Sequence, residues 1–238
     1  MHNEINVIFD LDDTILDFKK GAQKSLKKIV EAYPVQDVKF EEWVKVFNHF
    51  NREVWREIEA GGSPKEWLDK RFSKTYQFFD LQHDGVQLEN LYRNYLDENF
   101  YIIEGAEVLL QNLKAQGFRL IAGTNGPSST QRKRLKGTGL DQLFDEVIIS
   151  EEIGIAKPDP TFFSPLFDQH QMISTENTVM IGDSLQSDIL GAANAGITSI
   201  WFNPLQVKNQ TSILPDFEVY SYQELEDLLT ANVLQSVE

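Results

Sequence analysis

The sequence predicts an α/β protein: a parallel sheet covered by helices on both faces, interrupted after its first strand by an all-helical insertion. Three observations carry this. The first apolar run, Ile5 to Phe9, stops at a cluster of aspartates, as a buried strand ending in polar chemistry does. From about Asp17 to Tyr101 only helical periodicity occurs. After Glu104-Gly105 short apolar runs alternate with helical stretches, the pattern of strands joined by crossover helices.

In order, residues 18 to 32 predict a helix. Residues 39 to 59 predict a longer one, because Phe40, Trp43, Val44, Phe47, Val54, Trp55 and Ile58 follow the three-four spacing of one face. Gly61-Gly62 stops it, and Ser63-Pro64 suits the N-cap and first turn of the next helix. Residues 86 to 99 predict another, so the insertion reads as a bundle of about four helices. Then come a helix over Ala106–Ala115, a strand over Phe118–Ala122 and a helix over Ser128–Lys136. Strand Val147–Ile149, helix Pro160–His170 and strand Thr178–Ile181 follow, then helix Ser187–Ala195 and strand Ile197–Phe202. A short strand, Phe217–Tyr220, and a helix over Tyr222–Thr230 close the pattern.

Composition excludes several functions. The 238 residues carry 37 acidic against 22 basic side chains, a net charge of -15, which opposes binding to nucleic-acid polymers. A small phosphorylated ligand is compatible, because charges beyond the ~8 Å Debye length are screened and local groups decide. No apolar run approaches the ~20 residues of a membrane span. The opening Met-His-Asn-Glu-Ile-Asn lacks the pattern of a secretory signal. With no cysteine there are no disulfides, thiol nucleophiles or thiolate metal sites. A cytoplasmic enzyme, monomeric or weakly dimeric, is expected.

Sites in parallel sheets lie beyond the C-terminal strand ends. Here those ends bear Asp10-Leu11-Asp12-Asp13-Thr14, Thr124-Asn125-Gly126, Ala156-Lys157-Pro158 and Gly182-Asp183-Ser184, with Asp188 soon after. Converging carboxylates repel each other and call for a cation. Oxygen ligands without His or Cys suit a hard ion, with Mg²⁺ the obvious candidate. A lysine, a hydroxyl and loop amides beside it would receive a phosphoryl group. One carboxylate could attack phosphorus while a second handles protons.

The order and spacing of these four motifs resemble the haloacid dehalogenase superfamily in its phosphatase form, over essentially the whole chain. The resemblance implies a Rossmann-like parallel sheet core, residues 1–16 and 102–238, with an inserted helical cap domain, residues 17–101. It implies Asp10 as the nucleophile that forms an aspartyl-phosphate, and Asp12 as the general acid/base. It implies Thr124 and the amide of Asn125 as phosphate-binding groups, with Lys157 neutralising charge on Asp10 and the phosphate. Asp183, Asp10 and the Asp12 backbone carbonyl would hold Mg²⁺, and Asp188 would be an outer acid orienting metal-bound water. Cap closure would expel water and seat the leaving group.

A closer resemblance rests on Phe9 to Phe18, on Thr124-Asn125-Gly126 and on Ser150-Glu151-Glu152-Ile153-Gly154. These look like the pyrimidine 5'-nucleotidase branch, in which Asp13 stands where many phosphoglycolate and sugar-phosphate phosphatases carry glycine. The implied substrate is a nucleoside 5'-monophosphate, its base set against an apolar or aromatic wall. The alternatives are phosphoglycolate or sugar-phosphate hydrolysis, phosphomutase activity, and hydrolytic dehalogenation. Dehalogenases of this family need no metal and lack the carboxylate two residues after the nucleophile, so Asp12 and Asp183 oppose that last alternative.

Several residues have plainer explanations. Asp13 and Thr14 lead towards a helix and are expected to cap it. Trp43, Phe47, Trp55, Trp67 and Phe72 read as core of the helical insertion. Arg52, Arg56 and Arg71 read as a solvated helix face. His2, His49, His83 and His170 have no metal-ligand spacing.

Overall fold

The computed structural model describes residues 5–231; the opening segment and His2, with the expectations placed on them, lie outside that range. The chain divides into two compact units, one made of the residues up to Asp17 and from Tyr101 on, the other of Phe18–Phe100.

The first unit is built on β1 (Asn6–Phe9), β2 (Arg119–Thr124), β3 (Glu146–Ile149), β4 (Thr178–Gly182), β5 (Thr198–Phe202) and β6 (Phe217–Val219). They form one sheet in the order β3-β2-β1-β4-β5-β6, with every pairing parallel. Because both faces are covered, the central strands carry consecutive apolar residues, such as Val7-Ile8-Phe9 and Val179-Met180-Ile181, rather than alternating. Val7, Phe9, Leu120, Ala122, Val179 and Ile181 point to one face, where α5 (Ala106–Ala115) and α10 (Tyr222–Thr230) supply Leu109, Leu110, Leu113, Leu225 and Leu229. Ile8, Ile121, Ile148 and Met180 point to the other, against Phe162, Phe163, Leu166 and Ala192.

The chain runs from β1 outward to β2 and β3, then crosses back to place β4 on the far side of β1. The strand order therefore reverses between β1 and β4, and a crevice opens at their C-terminal ends. That crevice lies beside Asp10 and Asp183.

Three connections differ from the sequence expectation. Pro160–Phe163 is a 3₁₀ turn rather than the start of one long helix, and α8 (Ser164–Gln169) restarts after it with Pro165 in its first turn. Asp159 caps the turn by accepting from the Thr161 amide at 2.9 Å. Ser150–Ile153 forms an unexpected single-turn helix, α7. Before α9 (Leu190–Ala195) the chain makes a π-helical turn, Leu185–Ile189, closed by the Ile189 amide on the Ser184 carbonyl at 3.2 Å. Such wide turns recur at functional sites because they re-aim a side chain; this one carries Asp188.

The second unit is four helices, α1 (Phe18–Ala32), α2 (Phe40–Glu59), α3 (Pro64–Phe78) and α4 (Gly85–Leu96). Leu26, Ile29, Trp43, Phe47, Phe72, Tyr76, Leu88, Tyr92 and Leu96 make its core. At 20 residues α2 outruns that core, so Val54 and Ile58 join Leu68 in a smaller cluster. Trp55 and Trp67 are only half-buried at its edge, less enclosed than their spacing suggests. Ser63 has extended backbone geometry but its hydroxyl makes no capping bond.

Arg52 and Arg56 are exposed as expected, whereas Arg71 is buried. Its guanidinium grips Glu89 through two 2.8 Å bonds and donates to Asn51 at 2.9 Å, among the rings of Phe47, Phe72 and Tyr92. Helical periodicity cannot reveal a buried ion pair formed between α3 and α4. No helix among the described residues is long and apolar enough to cross a membrane.

Candidate active site at the strand ends

Asp10 extends β1 by one residue, its amide donating to the Ile181 carbonyl of β4 at 2.8 Å. The following loop folds on itself: the Ile15 and Leu16 amides return to the Leu11 carbonyl, and the Asp13 amide to that of Leu16. Asp13 turns the chain at φ 63°, a left-handed geometry that Asp tolerates better than most residues. Asp13 and Thr14 thus lie in a tight turn before α1, which begins only at Phe18, and do not cap it. The Tyr222 hydroxyl, from α10, donates to the Thr14 carbonyl at 2.7 Å and anchors this loop.

Lys157 is buried, and its ammonium spends all three donors on the site: Asp10 Oδ1 at 2.8 Å, Asp188 Oδ1 at 2.7 Å and the Gly123 carbonyl at 2.6 Å. Asn125 fixes the backbone from which it projects, accepting from the Lys157 amide at 2.9 Å and donating to its carbonyl at 2.8 Å. The Asn125 side chain is therefore a brace for the lysine loop.

Carboxylate oxygens of Asp10, Asp183 and Asp188 lie within 4.8 Å of one another. Asp188, placed by the π-helical turn, also accepts from the Ser184 amide at 3.0 Å. The Asp183 carbonyl receives the Trp201 indole N–H at 2.8 Å. Burial above all, then the neighbouring Asp188, Asp12 and Asp183, holds the Asp10 carboxyl well above its ordinary pKa, with Lys157 opposing. Burial pushes Lys157 down, but Asp10 and Asp188 outweigh it and raise its pKa.

Carboxylates brought this close repel one another, and a divalent cation between them would relieve the repulsion. The all-oxygen donor set fits a hard ion of the Mg²⁺ type. Gly182 makes room for the arrangement, since a Cβ there would lie 2.1 Å from Asp188 Oδ2. Gly182→Ala is expected to lower divalent-cation affinity by about 10–100-fold, the usual cost of disturbing groups around a metal site. Calorimetric titration would measure it; unchanged affinity would mean that Asp188 is not needed there.

Asp12 turns its carboxylate elsewhere. Gln131 Nε2 donates to Asp12 Oδ2 at 2.7 Å and to Thr124 Oγ1 at 2.9 Å, while the Arg134 guanidinium pairs with Asp12 Oδ1. Both residues belong to α6 (Ser128–Thr138), and the sequence reading missed them. A signal was present: the inward stripe of this helix is Thr130, Gln131, Arg134 and Leu135, almost wholly polar. A buried polar stripe must find polar partners. Among the histidines, His83 packs edge-on to Tyr33 and Tyr76, His49 pairs with Glu53, and His170 with Glu146.

Clustered carboxylates, a buried lysine and a hydroxyl at the central strand ends of a parallel α/β sheet are the arrangement of an enzyme active site. The chain belongs to the haloacid dehalogenase-like hydrolase family, whose model matches residues 7–202. It is 37% identical over 232 residues to the pyrimidine 5'-nucleotidase PynA of Streptococcus pneumoniae, covering 97% of each chain. It is 30% identical over 226 residues to the pyrimidine 5'-nucleotidase YjjG of Escherichia coli, covering 94% of this chain and 96% of that one. A magnesium-bound crystal structure of YfnB from Bacillus subtilis matches with a TM-score of 0.87 at 35% identity, over 95% of this chain and 99% of the other.

Proposed function

We propose that the chain is a Mg²⁺-dependent phosphomonoesterase that works through an aspartyl-phosphate on Asp10 and acts on nucleoside 5'-monophosphates. The observation that carries this reading is the buried Lys157, which joins Asp10 to Asp188 within a cluster of three carboxylates. A lysine so placed favours the charged form of Asp10 against its burial and aims the carboxylate, as a nucleophile requires.

Asp10 and Asp183, with the Asp12 carbonyl, are the groups that would hold the ion, and Asp188, tied to Lys157 and the Ser184 amide, would orient water beside it. When bound, Mg²⁺ supplies positive charge to the phosphoryl oxygens. Thr124 and the Asn125 backbone amide hold the phosphoryl group while an Asp10 oxygen attacks phosphorus. The bond to the leaving oxygen breaks as Asp12 gives that oxygen its proton. Water then attacks phosphorus, loses its proton to Asp12 and releases phosphate from Asp10. The helical unit, threaded into the chain just after the acidic loop, acts as the cap domain. The substrate is a small phosphorylated metabolite, and no nucleic-acid polymer or membrane is needed.

The nucleotide assignment is supported by the two pyrimidine 5'-nucleotidases among the relatives. A flat base offers stacking worth about 1–3 kcal/mol, or roughly tenfold to a hundredfold in kcat/KM over a hexose phosphate. UMP and dTMP are therefore expected to exceed AMP, phosphoglycolate and glucose 6-phosphate in kcat/KM at equal Mg²⁺, read by phosphate release. A clear preference for phosphoglycolate or glucose 6-phosphate would remove the nucleotidase assignment and leave the phosphatase one. Isomerised sugar phosphate without free phosphate would point to a mutase.

A further inference from the structure

Helix α6 packs inward through a stripe in which Leu135 is the one apolar side chain beside Thr130, Gln131 and Arg134. Two apolar residues at 131 and 134 would serve packing at least as well, since buried ion pairs seldom outperform apolar replacements. The polar pair is instead interlocked with Asp12. The Gln131 amide divides its two donors between Asp12 and Thr124, and its carbonyl oxygen accepts from Arg134 at 3.1 Å. Arg134 reaches the other oxygen of Asp12.

A second observation points the same way. A Cβ at Gly126 would meet Gln131 Nε2 at 2.3 Å, so the glycine that ends Thr124-Asn125-Gly126 opens the path by which the amide reaches both partners. The Gly126 amide also donates to Thr124 Oγ1, at 3.1 Å.

We propose that Gln131 and Arg134 are positioning residues for the proton-transfer carboxylate, holding Asp12 by both oxygens and tying it through Gln131 to the phosphoryl-binding Thr124. The inference rests on the reading of Asp12 as acid/base. Proton transfer requires the carboxylate within about 2.6–3.2 Å of the leaving oxygen. Asp12 is half-buried, on a loop, and one bond would leave it free to swing. Two bonds from one rigid helix leave a single orientation, set at a fixed distance from the hydroxyl that positions phosphorus. Misplacement by about 1 Å costs on the order of 10²-fold, so the pair acts on the protonation step through Asp12.

The test compares p-nitrophenyl phosphate, whose leaving group needs little protonation, with ethyl phosphate, which needs it fully. Gln131→Met, Arg134→Lys, Asp12→Asn and the double variant Asp12→Asn/Gln131→Met are each assayed at saturating Mg²⁺, with thermal melts as the folding control. Gln131→Met is expected to lose about tenfold to a hundredfold in kcat on ethyl phosphate and less than about threefold on p-nitrophenyl phosphate. The double variant should be no slower than Asp12→Asn, because Gln131 has nothing left to position. Equal losses on both substrates, additive losses in the double variant, or no loss would overturn the proposal. Should Gln131→Met fail to fold, Arg134→Lys is judged by the same ratio between substrates. The Asp12→Asn single variant isolates the underlying reading: it should lose ~10²–10⁴-fold, less on p-nitrophenyl phosphate. An equal loss there would remove Asp12 as the acid, independently of Gln131.

Discussion

Asp10→Asn is expected to abolish turnover while leaving a folded protein that is as stable as the parent or more so. The amide matches the carboxylate in size but cannot form the mixed anhydride with phosphate, so the loss should be on the order of 10⁴-fold or more. Stability should move the opposite way. Burial and the facing Asp188, Asp12 and Asp183 raise the folded-state pKa of Asp10 above its ordinary value, with Lys157 only partly opposing. A carboxyl raised in this way contributes stability that is present below its unfolded pKa and lost as pH rises through the folded value. At neutral pH and without a cation its charge therefore weighs against the fold, and the uncharged amide removes that weight. Lys157 keeps the Gly123 carbonyl and Asp188 as partners. The measurement is phosphate release and thermal melting at neutral pH in chelator, with mass spectrometry to exclude deamidation. Parental turnover in such a preparation would sink the covalent mechanism, and a large fall in melting temperature would show Asp10 to be a structural partner of Lys157.

Much of this site was legible in the sequence because parallel sheets write their chemistry at strand ends. Val7, Ile8 and Phe9 are apolar in succession since Val7 and Phe9 face one core and Ile8 the other, and the polar chemistry begins where the strand ends, at Asp10. Thr124 and Gly182 likewise end β2 and β4. Lys157 could be placed beside Asp10 from motif order, although its three bonds could not be foreseen.

What stayed hidden depends on side-chain direction and on turns that break periodicity. Asp188 reads as the first turn of an ordinary helix, yet the π-helical turn Leu185–Ile189 swings it back over Gly182 and onto Lys157. Gln131 and Arg134 carry no signal of their own in the sequence, and only their partners, Asp12 and Thr124, explain their burial. Arg71 escaped for the same reason, its partner Glu89 lying on another helix. Propensity and periodicity describe a residue against its neighbours in the chain; a buried polar group is explained by its neighbours in space.

Removing the metal is expected to stop phosphate release completely, and restoring Mg²⁺ to recover it. Asp10, Asp183 and Asp188 bring carboxylate oxygens within 4.8 Å of one another, a repelling arrangement that a divalent cation would relieve. Oxygen donors bind Mg²⁺ modestly, so a chelator should strip it without unfolding the chain. Loading should also be visible without any substrate. A cation at about 100 times its Kd stabilises the folded state by about 2.7 kcal/mol, which in a chain of this size raises the melting temperature by roughly 5–10 °C. Asp183→Ala should shift that thermal response to higher Mg²⁺, because its backbone, held by Trp201, stays in place while the ligand is lost. Lys157→Ala should instead slow the chemical step even at saturating Mg²⁺, since it removes the group that aims Asp10 rather than a ligand. Full activity after exhaustive chelation, with no change in melting on adding Mg²⁺, would overturn the phosphatase mechanism and return the chain to the metal-free hydrolytic chemistry that Asp12 and Asp183 argue against.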